Sequence, residues 1–418
     1  MTETGTASGM PSRSLWHHRD FMFLWAGQTV SEVGSAVTTL ALPLLALITL
    51  HASTFEVGAL NACTNAAFII VALPAGAWVD RWRKRRVLVW GDAGRVILLG
   101  SIPLAQALGV LTLGQLYVVA LLTGVLTVFF DVAYQSYLPV LVEPAQLMDG
   151  NGKLGASQAF GQVAGPGVGG LLVGTVGAAY AVVADAASFV VSTIATLLIR
   201  RPEPPPPVRA EGRRLRTEIR EGLHFVVTHP ILRQITGSTA TNNFFNGSFY
   251  GLLAVFLVRV LHTSPGVIGI VFSAGSVGGL IGGAFAGRIG AHIGTARVIW
   301  LSIAATGPFQ LLATAAFHGW GVTLIIVGVF VTSATGVVYN TAQVSYRQRI
   351  CPPELLGRMN ASVRFIVWGT LPLGALTGGI LGQVIGVRPT LVIGALGGWA
   401  AALWLIFSPL FGLRDVPD

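Results

Sequence analysis

Twelve apolar segments dominate the chain, at about 20–49, 55–79, 87–108, 114–137, 154–176, 178–199, 231–260, 266–287, 297–317, 320–345, 359–384 and 387–411. Each is long enough to cross a hydrocarbon core of about 30 Å when coiled at about 1.5 Å per residue. Lipid offers backbone N–H and C=O groups no partner, so such segments fold as helices that satisfy those groups internally. Only 10% of the 418 residues are charged and 53% are hydrophobic, too few charges to clothe a soluble domain. The expected fold class is an all-α membrane protein, multi-pass, in the cell (inner) membrane with the lipid bilayer as its first partner. Residues 1–20 are polar and lack a short apolar core with a cleavage site, so no signal peptide is expected.

The formal charge of +9 could suggest a nucleic-acid partner, but its distribution does not. Arg95 and Arg364 lie well inside apolar segments, and Arg259 and Arg388 at segment ends on one side. All other cations fall on the opposite side. The positive-inside rule then places both termini in the cytoplasm, as an even number of spans requires. No nucleic acid is expected. Cys63 sits in an apolar segment and Cys351 in a charged loop, so neither a disulfide nor a metal site is expected, and no cofactor.

The chain repeats itself. At an offset of 209 residues, "EPAQLMDGN" (Glu143–Asn151) lies over "PPELLGRMN" (Pro352–Asn360), and Gly165, Gly169 and Gly170 meet Gly374, Gly378 and Gly379. At an offset of 207, "GAWVDR" (Gly76–Arg81) meets "GAFAGR" (Gly283–Arg288). Two six-helix bundles in parallel repeat follow, at 1–199 and 231–418, an arrangement of transporters that bind at the repeat interface. Residues 200–230 form a cytoplasmic linker. Its proline run is extended, and Leu215, Ile219, Leu223 and Val226 recur at the spacing of a short surface helix.

Polar residues recur on one face of four segments. Segment 1 carries Gln28, Glu32, Ser35 and Thr39, and segment 4 carries Gly124, Thr127, Asp131 and Gln135. Segment 7 shows Thr239, Asn243, Asn246 and Tyr250 with Asn242 alongside, and segment 10 shows Thr332, Thr335, Tyr339 and Gln343. These open four successive three-helix units, so the stripes are expected around one cavity. Its candidate substrate contacts are Gln28, Asn242, Asn243, Asn246, Tyr250, Tyr339 and Gln343. Small polar residues also serve ordinary helix contacts.

Acids inside a membrane cost about 2.5–3.5 kcal/mol each and normally have a task. Glu32, Asp131 and Asp185 are the candidates for proton coupling, because desolvation moves carboxylate titration toward neutral pH. Glu32 is the first choice and Asp185 the second. Asp131, close to the cationic loop, reads rather as a structural partner of a nearby arginine, with proton coupling as its alternative. From Gly222 to Leu413 the sole acid is Glu354, in a loop, so a side-chain proton carrier belongs to the first half.

"GAWVDRWRKRRVL" resembles the loop 2–3 signature of the major facilitator superfamily, with Gly76, Asp80, Arg81, Lys84 and Arg85 in matching positions and Arg83 in place of the usual glycine. "GQVAGPGVGG" in segment 5 resembles the signature of that superfamily's drug:proton antiporters, with Gly161, Gly165, Pro166, Gly169 and Gly170 in place. "HHRDFMFLWAGQTVSEVG" and "EIREGLHFVVTHPILR" are similar to the macrolide-efflux and enterobactin-exporter-like branch. The resemblance implies that Asp80 caps the cytoplasmic end of segment 11 and that Arg81 and Arg85 pair with acids such as Asp131. Together with Lys84, Asp92, Arg95 and Arg364 they would form a cytoplasmic latch when the protein faces outward. It also implies that the segment 5 motif seals against leak. For the loop cations, topology alone is the alternative.

The expected activity is secondary export of a hydrophobic or amphiphilic small molecule (a drug, antibiotic or siderophore-like compound) in exchange for protons, by alternating access and as a monomer. No nucleotide motif points to ATP. An importer or uniporter of the same fold is the alternative. A membrane-embedded enzyme is a remote one, since no catalytic motif falls inside the segments.

Overall fold

The computed structural model describes residues 15–79, 81–143, 146–204, 215–352 and 355–415. Six long helices come first: α1 (Arg19–Leu44), α2 (Thr54–Val79), α3 (Lys84–Ala107), α4 (Leu113–Leu141), α5 (Leu147–Val176) and α6 (Ala178–Leu198). A shorter α7 (Leu215–Thr228) lies in the connector. There follow α8 (Pro230–Val255), α9 (Pro265–Ile293), α10 (Thr295–Thr314), α11 (Val322–Ile350), α12 (Leu356–Val384), α13 (Val387–Ala400) and α14 (Ala402–Ile406). With α13 and α14 counted as one span, twelve helices are long and apolar enough to cross a membrane. Several start earlier than hydropathy indicates: α5 begins at Leu147, not near residue 154. Apolarity marks where a helix meets lipid, and the backbone keeps its hydrogen bonds beyond that limit.

The two sets of six pack alike. In the first set α1 lies on α5 and α6, α3 on α4 and α6, and α2 on α4. In the second, α8 lies on α12 and α13, α10 on α11 and α13, and α9 on α11. Backbone details repeat as well. Both α1 and α8 end in a π-helical turn, Leu45–Thr49 and Phe256–Val260, followed by a histidine in the left-handed region: His51 at φ 51° and His262 at φ 49°. Both also begin on a histidine cap, in which His18 Nδ1 accepts from Phe21 N at 3.1 Å and His229 Nδ1 from Leu232 N at 3.2 Å.

The sets meet through α2 on α12 and α5 on α9. At the end far from the termini they touch backbone to backbone: a Cβ on Gly58 would lie 2.7 Å from Gly379 Cα. Asn61 Nδ2 donates to Gly251 O at 3.1 Å, Ser273 Oγ to Val163 O at 2.8 Å, and the Arg259 guanidinium to Ala52 O. The far end is therefore closed. The connector helix α7 packs on α12, where Val226 is buried with Met359, Val363 and Val367, and Glu221 pairs with Arg358. The expected surface helix is thus docked on protein through Val226, while Leu223 of the same face stays exposed.

Candidate functional site

Between the two sets lies a chain of adjoining cavities. One, of about 540 Å³, is walled by the second set and includes Thr239, Asn242, Asn243, Asn246, Thr332, Tyr339 and Gln343. The stripes of α8 and α11 thus face the same space, as the helical spacing predicts. Asn360, Arg364 and Trp368 pass from this cavity into a second of about 540 Å³, whose opposite wall is Phe68, Asp131, Gln135 and Gln158 of the first set. Gly336 connects the first cavity to a third, where Gln162 of α5 faces Tyr250, Phe272 and Ser333. The lining reaches Gln348 and Asn360, within a turn or so of the helix ends on the termini side.

Amide chains hold this wall. Gln310 Nε2 donates to Asn246 Oδ1 at 2.8 Å, Asn246 Nδ2 to Asn242 Oδ1 at 2.7 Å, and Asn242 Nδ2 to Gly398 O at 3.2 Å. The Thr239 hydroxyl lies 2.6 Å from that of Tyr339, and Gln343 Nε2 donates to Asn340 Oδ1 at 2.9 Å. Two expected contacts fall elsewhere. Tyr250 continues the α8 stripe but stands a turn beyond Asn246, about 6 Å further along the axis, and so enters the adjoining third cavity. Gln28 is buried in the first set, where its Nε2 donates to Glu32 Oε1 at 2.8 Å. The face of α1 that carries Gln28 and Glu32 is covered by α5 and α6, whose glycines and serines allow close approach.

The buried charges of the first set gather around one cation. Arg95 and Asp92, on consecutive turns of α3, form an ion pair at 2.5 Å with both side chains buried. The guanidinium lies between two rings, its carbon 4.4 Å from the centroid of Phe130 and 4.1 Å from that of Phe189. Asp131, Asp185 and Glu32 are all within its electrostatic reach. Asp185 is 1% exposed, and its Oδ1 accepts from Ser188 Oγ at 3.2 Å. Gly34 leaves room for it, since a Cβ there would lie 2.7 Å from Asp185 Oδ1. Glu32 is half-buried, and of the three acids proposed for proton coupling only Asp131 lines a described cavity.

The six described latch residues are not gathered. Asp80 lies outside the described residues. Arg85 Nε donates to Thr196 O at 3.2 Å and its Nη2 to Leu197 O at 2.7 Å, so it caps α6 of its own set rather than pairing with Asp131. The backbone N–H groups of Lys84 and Arg85 donate to Glu203, while Arg81 is exposed. Asp92 and Arg95 sit about 12 and 17 Å along α3 from its start, inside the charge cluster. Arg364 lines the cavities instead. Arg83 in place of glycine does no harm, because its φ is −67°.

The segment 5 motif has two faces. Gly161, Gly165 and Gly169 lie on α1, where a Cβ on Gly161 would come 2.8 Å from Glu32 Cβ and one on Gly165 would overlap Ala36. Gly170 and Pro166 lie on α9: a Cβ on Gly170 would sit 2.5 Å from Pro265 O, and one on Gly269 2.5 Å from Pro166 O.

The sequence profile described as "Transmembrane secretion effector" matches residues 13–415. The chain belongs to that family, within the major facilitator superfamily. Relatives include the multidrug efflux pump Tap of Mycolicibacterium fortuitum, 26% identical over 88% of this chain and 90% of its own. The macrolide efflux protein A of Streptococcus pyogenes is 24% identical over 88% and 90%, and the enterobactin exporter EntS of Escherichia coli O127:H6 24% over 82% and 80%. A bacterial homologue of the iron transporter ferroportin in its inward-facing state superposes with a TM-score of 0.73, at 19% identity over 94% of this chain and 99% of that one. In its outward-facing state the score is 0.59, at 18% identity over 93% and 98%. The chain is therefore a multi-pass membrane transporter of the superfamily's fold.

Sequence reasoning missed Arg347. It was grouped with the loop cations, yet it is 8% exposed and lines the first cavity. The signal was available, because Tyr339, Gln343 and Arg347 follow at intervals of four and extend the α11 stripe by one turn.

Proposed function

We propose that this transporter exports hydrophobic or amphiphilic small molecules in exchange for protons, by alternating access of its two six-helix halves. Asp131 carries the reading: it stands on the cavity wall, with Glu32, Asp185 and Asp92 behind it around Arg95. An acid at the water-facing edge of such a cluster can accept a proton from the cavity and share it with the carboxylates behind it, of which Asp92 and Asp185 are fully buried. One cation cannot neutralise four acids, so at least one can be held protonated at little cost. The cations of the termini side support a cytoplasmic location for both termini, so the closed far end makes this the inward-facing state. The efflux activity named for the relatives supports the outward direction.

The test is counterflow in proteoliposomes and efflux from expressing cells, with a panel of antibiotics, dyes and siderophores and with and without a protonophore. Glu32→Gln and Asp131→Asn are each expected to abolish uphill efflux while leaving substrate binding measurable. Efflux that survives both substitutions, or ignores the protonophore, overturns proton coupling at this cluster.

A further inference from the structure

The cavity is polarised: acids stand on or behind the wall of the first half, and on the second-half side the charges are arginines. Arg347 of α11 and Arg364 of α12 both line the first cavity and lie within electrostatic reach of each other. Neither has an acidic partner among the described residues, and between Glu221 and Asp415 the sequence holds one acid, Glu354 of the loop. Arg347 is more than nine-tenths buried, and its Nε has no hydrogen-bond partner. An arginine kept only for topology extends its head into water. This one is withdrawn into a cavity beside a like charge, with an unused donor.

Two like charges side by side, one of them desolvated, raise each other's energy, and an unmatched buried donor adds its own cost. Both terms are relieved by one kind of ligand: an anion whose oxygens accept from the guanidinium fork. Around the arginines stand Asn360, Gln348 and Trp368, which offer amide hydrogen bonds and an aromatic face. That mixture suits an amphiphile better than a small inorganic ion.

We infer that the Arg347–Arg364 pair is a substrate-binding site for the anionic group of an amphiphilic molecule, a carboxylate or phosphate on an apolar body. The inference rests on the transporter reading given above and specifies its substrate class. Capture occurs near the mouth on the termini side, where such a molecule arrives from the cytoplasm or the inner leaflet. An inside-negative potential then favours movement of the exported anion outward.

The full-length protein in phosphatidylcholine nanodiscs tests this with two fluorescent probes that share one apolar body and differ in whether the carboxylate is free or esterified, 11-(dansylamino)undecanoic acid and its methyl ester. The acid is expected to bind about tenfold or more tighter than the ester, the strength of one charge-assisted hydrogen bond or better. Arg347→Gln should bring the acid down to the affinity of the ester and leave the ester unchanged, which also shows that the variant is folded. Arg347→Lys should restore part of the difference. Equal binding of acid and ester, or an acid affinity untouched by Arg347→Gln, overturns the inference. Nanodiscs containing phosphatidylglycerol separate the sources of the anion. Unchanged acid binding supports a transported substrate, whereas displacement by the lipid that vanishes in Arg347→Gln assigns the site to a headgroup and overturns the substrate reading. No gradient is present in these measurements, so their failure is distinct from failure of proton-driven efflux.

Discussion

Arg95 Nη2 donates to Asp92 Oδ1 at 2.5 Å, three residues apart on α3 and buried to 4% and 0% exposure. Removing one member of such a pair leaves an uncompensated charge in a medium that cannot solvate it. Arg95→Met is expected to destabilise the protein by about 3–5 kcal/mol, and the double substitution Asp92→Asn with Arg95→Met by much less. Thermal unfolding of the purified variants, followed by tryptophan fluorescence, reads both. If the single variant melts with the parent, the cluster has other means of balancing its charge. Arg95→Lys should also be less stable than the parent, because an ammonium cannot lie flat between Phe130 and Phe189.

The far-end seal rests on glycine. A side chain larger than hydrogen at Gly170 or Gly269 meets backbone atoms of the opposite helix at 2.5 Å, and backbone cannot turn aside as a flexible side chain can. Gly170→Val or Gly269→Val should pry α5 from α9 and raise the population open at the far end. A cysteine at Asn61, which bonds across that interface, would report it in a background free of Cys63 and Cys351. Labelling by a membrane-impermeant maleimide from the far side should accelerate at least several-fold, and an unchanged rate would show that the seal lies elsewhere.

His229 provides a pH effect outside the membrane spans. Its Nδ1 must be unprotonated to accept from Leu232 N at 3.2 Å, and burial holds its pKa below the ordinary histidine value. The unfolded chain therefore takes up a proton first as pH falls, so stability declines with acidification below about pH 6.5 until the folded form also titrates. His229→Asn keeps a capping acceptor that does not titrate. The melting temperature of this variant should fall less than that of the parent between neutral and mildly acidic pH, and equal slopes would remove His229 as the origin.

The spans were legible because lipid demands unbroken apolar length, and the repeat because matching glycines and prolines stand at fixed offsets. The shared cavity of α8 and α11 was legible from helical spacing taken with the repeat, and α4 brings Asp131 and Gln135 to the adjoining one. What spacing does not carry is which neighbour covers a given face. Gln28 carries the same polar signal as Asn246, but α5 and α6 close over it. Hydropathy already sets Asp92 and Arg95 inside segment 3, and only the resemblance joined them to the loop cations; α3 starts at Lys84, three residues before the segment, and carries both deeper into the interior. Arg347 was hidden by its company, since cations near span ends usually signal orientation and nothing more.

The halves duplicate their turns but not the bond between them. Arg259, in the π turn that ends α8, reaches over to Ala52 O, just past the matching turn of α1. At the corresponding place in the first half, 211 residues earlier, stands Ile48, which has no polar atom to offer in return. The clasp is therefore single, and its donor is exposed, so water can take over each partner as the turns separate. A twofold pair of such clasps would have held the gate twice as firmly. With one, this wetted contact adds to the glycine packing and to the Asn61 and Ser273 bonds across the same interface, and the ease of opening at the far end can be tuned at Arg259 without disturbing either helical bundle.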